Sequence, residues 1–309
     1  MAPSRRLFMG TPAGDVEIPA LPETGAAAGT QPFFDGNDWQ NDSYLPHGVN
    51  DFRLTLVSGS PVADSNDTTT VYWTPYTGNR IGLYDGTRWK IHTTAEISLA
   101  LGTMTSGIPY DVFVYDNAGT KTLEKVAWTN TTTRATALVR QDGVWCKTGA
   151  LTRRYVGTFY ANTATETSDN DRRFLFNAVN RVPRWLKRST TTDDVYDSAT
   201  IRQWSADTVN QLAFVIGLAD QHIHVVCACK AKHSSVGAGL SFGTALNSTT
   251  TITPFPSVIN IMVADRNHSQ TAADVYVPTL GYNYVSANQA GNGATGTWNG
   301  FSMTGLVWM

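Results

Sequence analysis

The chain has little charge. Asp, Glu, Lys and Arg together make up 16% of its 309 residues, with 23 basic against 25 acidic side chains. Soluble domains carry roughly 25%. The net charge of −2 gives no bulk electrostatic support for a nucleic-acid or anionic-membrane partner. Cysteine is scarce too, at Cys146, Cys227 and Cys229. Three cysteines build no secreted disulfide framework. Cys227 and Cys229 lie two apart, so on a strand they share a face and make poor disulfide geometry. All three read as reduced, buried, small apolar groups. No run approaches the roughly 20 apolar residues of a spanning helix, so no membrane insertion is expected. Gly10-Thr11-Pro12 cuts short any signal-peptide core after the basic start. Sustained helical periodicity, heptads and collagen-type repeats are missing as well, which argues against a long fibrous shaft.

What is present is strand grammar. The chain is 41% hydrophobic and 11% aromatic, enough for a real core. Val71-Tyr72-Trp73, Arg80 to Tyr84 and Thr87 to Ile91 are extended runs, with Gly78-Asn79 and Asp85-Gly86 as turns. The pattern repeats at Phe52 to Leu56, at Tyr110 to Tyr115 with Thr122 to Trp128, at Ala137 to Arg140 with Val144 to Lys147, and at Tyr155 to Tyr160. Thr93 to Leu101 is the best helix candidate, because Thr93 and Glu96 have capping-box spacing and Gly102 can end it.

Beyond residue 200, Leu212 to Ile216 and Ile223 to Cys229 read as buried strands. Gly237 to Gly243, Val258 to Val263, Asp274 to Val277, Leu280 to Val285 and Gly305 to Met309 follow as further strands. The tract from Asn288 to Gly296 reads as a loop. The expected fold is all-β: two antiparallel β-sandwich or jelly-roll-like domains at 51–188 and 201–309, joined by a linker at 189–200. They follow an extended Pro/Gly-rich arm at 1–50. Apolar beads dot that arm, at Leu7-Phe8-Met9, Val16, Ile18, Phe33-Phe34 and Trp39. A loose, partly disordered terminus is one reading of such an arm; because the beads are costly to leave in water, a strap that orders against a neighbouring subunit is the preferred one.

Candidate chemistry is thin. Gly239-Leu240-Ser241-Phe242-Gly243 matches G-x-S-x-G, but no helical pattern follows it, as a nucleophile elbow requires. His222 and His224 share a strand face, and imidazoles at that spacing can hold a metal if a third ligand comes from elsewhere or from a symmetry axis. Two solvated or hydrogen-bonded histidines are the simpler reading. Arg172, Arg173, Arg181, Arg184, Lys187 and Arg188 surround Trp185, a pattern compatible with phosphate contact and base stacking. Ion pairs to Asp169, Asp171, Asp193 and Asp194 would explain it equally. Trp298 and Tyr284 are candidates for stacking on sugars or for the core. Five N-x-S/T sequons, at Asn41, Asn66, Asn130, Asn247 and Asn267, are what so Asn- and Thr-rich a chain makes by chance. The residues nominate no catalytic, cofactor or metal site.

The strings TPYTGNRIGLYDGTRWK, EISLAL, YDVFVYDNAGTKTLE, AWTNTTTRATALVRQDGVW, TRRYVGTFY and NRVPRWL, between Phe52 and Arg188, resemble a recurrent segment of tailed-bacteriophage and prophage virion proteins. The resemblance covers a little under half the chain. It implies a non-enzymatic structural protein of the virion, assembled in the bacterial host cytoplasm. The expectation is a tail-fibre or fibre-associated subunit, acting in attachment or assembly as a homotrimer. The alternative is a capsid decoration or cement protein. Residues 1–50 would engage other tail or capsid proteins, and a host surface glycan is a further candidate partner. No cofactor and no nucleic acid are expected.

Overall fold

The computed structural model describes residues 46–253, 262–291 and 296–309 in full. It also gives backbone ladders for Leu7–Thr11 with Gly14–Ile18, for Phe33–Phe34 with Trp39–Gln40, and for Ser257–Asn260. The described residues form strands and two single-turn 3₁₀ helices, with no α-helix. The all-β antiparallel expectation holds.

The N-terminal group of sheets begins with Phe52–Thr55, Thr70–Pro75 and Ile97–Ala100, in that order across the sheet. Arg80–Tyr84 and Trp89–Thr93 form the expected hairpin, with Tyr84 opposite Trp89. A larger sheet runs Thr120–Ala127, Pro109–Asn117, Ala150–Tyr160, Val144–Lys147, Leu138–Gln141, and Leu175–Asn177 also pairs with Ala150–Tyr160. Two of its hairpins close through Ala118-Gly119 and Asp142-Gly143. Both residues of each turn have positive φ, at 50° and 98° and at 49° and 85°, the primed-turn geometry that matches strand twist. Phe52, Leu54, Val71, Trp73, Ile81, Val112, Val156 and Phe159 fill this core. Phe52 stacks on Trp73 with ring centres 4.0 Å apart.

The C-terminal group is two facing sheets. One runs Pro183–Thr190, Gly296–Trp308, Ile223–His233, His268–Tyr276, with Asp194–Val195 also on the Gly296–Trp308 strand. The other runs Arg202–Gln203, Gly281–Ala290, Gly239–Leu246, Ser257–Asn260, with Gln211–Ile216 also on Gly281–Ala290. Leu186, Trp204, Leu212, Phe214, Val225, Cys227, Phe242, Val285, Trp298 and Met303 form their shared core. Edge-to-face contact between Trp204 and Trp298, 5.6 Å apart at 70°, anchors one end.

Four local expectations change. Thr93 to Leu101 is not a helix: Ile97–Ala100 pairs with Thr70–Trp73. The Glu96 carboxylate accepts from Ser58 Oγ, Gly59 N and Thr74 Oγ1 instead of capping its own backbone. Asn288, Gln289 and Ala290 are not loop residues but the buried end of a strand; residues 292–295 lie outside the described set. Pro183–Thr190 belongs by pairing to the C-terminal sheet, so the division between sheet groups falls before residue 183 and not at 188. Within 189–200, Ser189, Thr190, Asp194 and Val195 are ladder residues of the same sheet rather than linker.

Candidate interaction surface

The basic cluster knits the two sheet groups together. Arg173 donates to both Asp64 carboxylate oxygens, at 2.7 and 3.2 Å, to Asp169 O at 2.8 Å and twice to Trp185 O, at 3.0 and 2.6 Å. Arg184 reaches Asp169 at 3.0 Å and Val62 O at 2.6 Å, and pairs with Asp64. Arg181 pairs with Asp220 at 2.6 Å. Arg53, from the first sheet of the N-terminal group, donates to Pro61 O at 3.0 Å, to Met309 O at 2.9 Å and to Asn180 O. Burial lowers Arg53 to about 10 and pushes the Asp169 carboxyl up to about 7, against the pull of Arg173 and Arg53. Three of the six cations are therefore structural. Arg172, Lys187 and Arg188 line a cleft of about 520 Å³ between the sheet groups, beside Tyr160, Phe174 and Tyr282. Of the carboxylates expected as partners, Asp169 takes that role. Asp194 pairs with Arg202 at 2.7 Å, and Asp193 accepts from Asn299 at 3.0 Å.

The other sequence candidates scatter. Ser241 sits mid-strand, hydrogen-bonded in ladders on both sides, with no turn after it. Trp298 is fully buried and offers no stacking face; Tyr284 is half-buried beside Tyr282. All three cysteines are free and buried, and burial raises Cys146 to about 11 and Cys227 to about 12. His222 and His224 are exposed on either side of buried Ile223. Among the described residues no group of three or more His, Cys, Asp or Glu is placed to hold a metal ion, and no helix is long and apolar enough to cross a membrane.

The histidines lie on a surface that sequence reasoning missed. Along Ile223–His233 burial alternates almost perfectly, so this strand is covered on one face only. Its outward residues align with those of its neighbours. Trp185 stands opposite Leu306, which stands opposite His224, which stands opposite Val275. The next row is Lys187, Thr304, Val226, Ala273, and the next Ser189, Ser302, Ala228, Thr271. Trp185, Trp308, Val226, Val275 and Val277 are 61%, 49%, 49%, 57% and 65% exposed. Together they leave on the order of 500 Å² of apolar surface in water, near the upper end for a soluble monomer. Below them the register slips between Cys229 and Ala231, where Asn299 and Gly300 of the Gly296–Trp308 strand together oppose the single residue Lys230, a bulge on that strand. A trough of about 560 Å³ opens there, lined by Thr190, Lys230, Gln270, Thr271, Gly300 and Ser302 among others.

No protein-family model matches the chain, and no curated protein sequence matches it significantly. Similar solved structures include dimeric latent PorU from Porphyromonas gingivalis, at 11% identity and a TM-score of 0.29, covering 78% of this chain and 20% of that one. The VP2 subviral particle of infectious bursal disease virus gives 10% identity and a TM-score of 0.29, covering 83% of this chain and 67% of that one. BuGH86E322Q in complex with neoagarooctaose gives 9% and 0.27, covering 79% and 33%. The chain spans only a fifth of the PorU chain it matches. Viral particle proteins are thus among the β-rich structures the chain distantly resembles, and TM-scores this low assign neither fold family nor activity.

Proposed function

We propose that the chain is a non-enzymatic structural subunit of a bacteriophage virion. We place it at the tail, as a fibre or fibre-associated protein acting in attachment or assembly. Two things support the virion reading: the resemblance of the segment between Phe52 and Arg188 to phage virion proteins, and the outward sheet face. The face is the observation that carries it. A one-sided sheet face with two exposed indoles and three exposed valines is built to be covered, because exposed aromatic side chains supply much of the energy when a partner binds.

The decoration or cement reading stands second. The described residues contain no α-helix and no heptad shaft to carry a long fibre, which favours a compact knob on the capsid.

Immunogold electron microscopy of purified particles, with antibody against residues 201–309, separates the two. Gold at the tail is expected. Gold spread over the head replaces the fibre reading with decoration. Unlabelled particles, confirmed by absence of the chain from their denatured protein, remove the virion assignment.

A further inference from the structure

The outward face carries no carboxylate at any of its strand positions, while Lys187 and Lys230 are exposed on it and His224 stands within its apolar half, between Leu306 and Val275. The opposite character lies at the other end of the chain. From Leu7 to Leu45 there are carboxylates at Asp15, Glu17, Glu23, Asp35, Asp38 and Asp42, and no Lys or Arg. The same stretch holds the apolar beads. Its first ladder sets Leu7 opposite Ile18 and Met9 opposite Val16. These apolar positions share one face by strand period, whereas Phe8 stands opposite Glu17 and Gly10 opposite Asp15. A two-stranded ladder is marginal alone in water and needs a surface to lie on. With five residues per strand it is about 17 Å long and about 10 Å wide, so it covers roughly a quarter of a four-stranded sheet face whose strands are 8 to 13 residues long.

We propose that residues 7–45 of one copy lie across the outward sheet face of a neighbouring copy. The Leu7–Ile18 ladder packs on Trp185, Val226, Val275 and Trp308, and the arm's carboxylates border Lys187 and Lys230. This inference rests on the strap reading of the arm and names its docking surface. The 27 residues from 19 to 45 that link the ladder to the body reach about 90 Å when extended, so the arm spans to a second subunit without strain. Opposite charges within a Debye length of about 10 Å steer and orient the docking, and the buried indoles and valines hold it. Each copy gives an arm and receives one. Such a head-to-tail contact closes into a ring when the rotation permits.

The test uses full-length protein, with light scattering for mass and hydrogen exchange for residues 7–18. Wild type is expected to assemble, with residues 7–18 protected. A face variant, Val226→Glu with Val275→Glu, and an arm variant, Met9→Asp with Val16→Asp, should each become monomeric and exchange about tenfold faster or more at 7–18, a loss of about 1.4 kcal/mol. Mixed together they should form a complex, because one intact arm still meets one intact face. If the face variant misfolds by circular dichroism, Lys187→Glu with Lys230→Glu replaces it, and assembly should weaken and return when Asp15→Lys and Glu17→Lys are made in the same chain. A monomeric wild type overturns the proposal, whether its arm is protected on its own face or free. Dissociation by face variants but not by arm variants also overturns it, in favour of faces stacking on each other. Particle labelling decides the virion reading separately, since a chain absent from particles can still assemble this way.

Discussion

Asp169 offers a test of how the two sheet groups are held together. Its carboxyl is buried beside Arg184, at 3.0 Å, and Arg173, at 3.8 Å, yet burial raises it from the ordinary 3.8 to about 7. One of its oxygens, Oδ1, finds no hydrogen bond, which fits a site that prefers the neutral acid. Between those two values the folded chain keeps a proton that the unfolded chain has released. Its contribution to stability is therefore full below about pH 4 and is lost as pH rises through 7. In mid-window the slope for one proton is about 1.4 kcal/mol per pH unit. Asp169→Asn removes the titration and mimics the protonated acid. The difference in unfolding free energy, wild type minus Asn, should then fall by about 2 kcal/mol between pH 5 and 6.5. In urea that is about 0.7 M in the midpoint for a slope of about 3 kcal/mol/M. Tryptophan fluorescence at fixed temperature reads it, and the subtraction removes other groups, including Asp111, which burial also raises. A difference that is flat or rises with pH refutes the reasoning, because the two guanidiniums would then outweigh burial and hold Asp169 ionised throughout.

Two further outcomes follow from the packing. Gly157→Ala would place a Cβ 2.2 Å from Phe176 O and 2.6 Å from Leu54 Cδ1, so it should cost about 2–3 kcal/mol in urea unfolding; a loss under about 0.5 kcal/mol would show that the two strands separate easily. Native protein should leave all three thiols unreacted with a disulfide reagent over minutes, and urea should release them together, because Cys146, Cys227 and Cys229 are buried and their thiols are shifted up. Fast labelling at Cys229 would mean that the trough beside it opens to the reagent.

The hairpins were legible because their turns carry the conformation in two residues: only Gly, Asn, Asp or a strained neighbour accepts the positive φ of Ala118-Gly119 and Asp142-Gly143. Thr93 to Leu101 misled because capping-box spacing is local, whereas Glu96 finds three better donors on chain 20 or more residues away. Asn288 and Gln289 look like loop residues by composition. Their side-chain NH2 groups donate to Ser248 O and Thr251 O, and to Asp194, which no local pattern reveals. The interaction face was hidden for a different reason. An apolar run such as Ile223-His224-Val225-Val226-Cys227-Ala228-Cys229 reads as a strand buried on both sides. His224, Lys230 and the neighbouring Trp185 at the outward phase were the available signal that one side is open.

That open side is not independent of the N-terminal group of sheets. Arg173 holds the carbonyl of Trp185 with two N–H groups while its guanidinium grips Asp64 of the N-terminal group. Arg184, one residue before Trp185, reaches Val62 O and Asp169. The edge strand that presents the outward indole is thus tied by charge-assisted hydrogen bonds to the N-terminal group of sheets, and Arg53 ties the C-terminal Met309, next to the second indole at Trp308, to the same group. Asp64 and Asp169 are each shared by Arg173 and Arg184, so the two arginines back each other up across this junction. The two sheet groups therefore act as one presenting body: the N-terminal group sets where the indoles stand, and the C-terminal sheet supplies the surface between them.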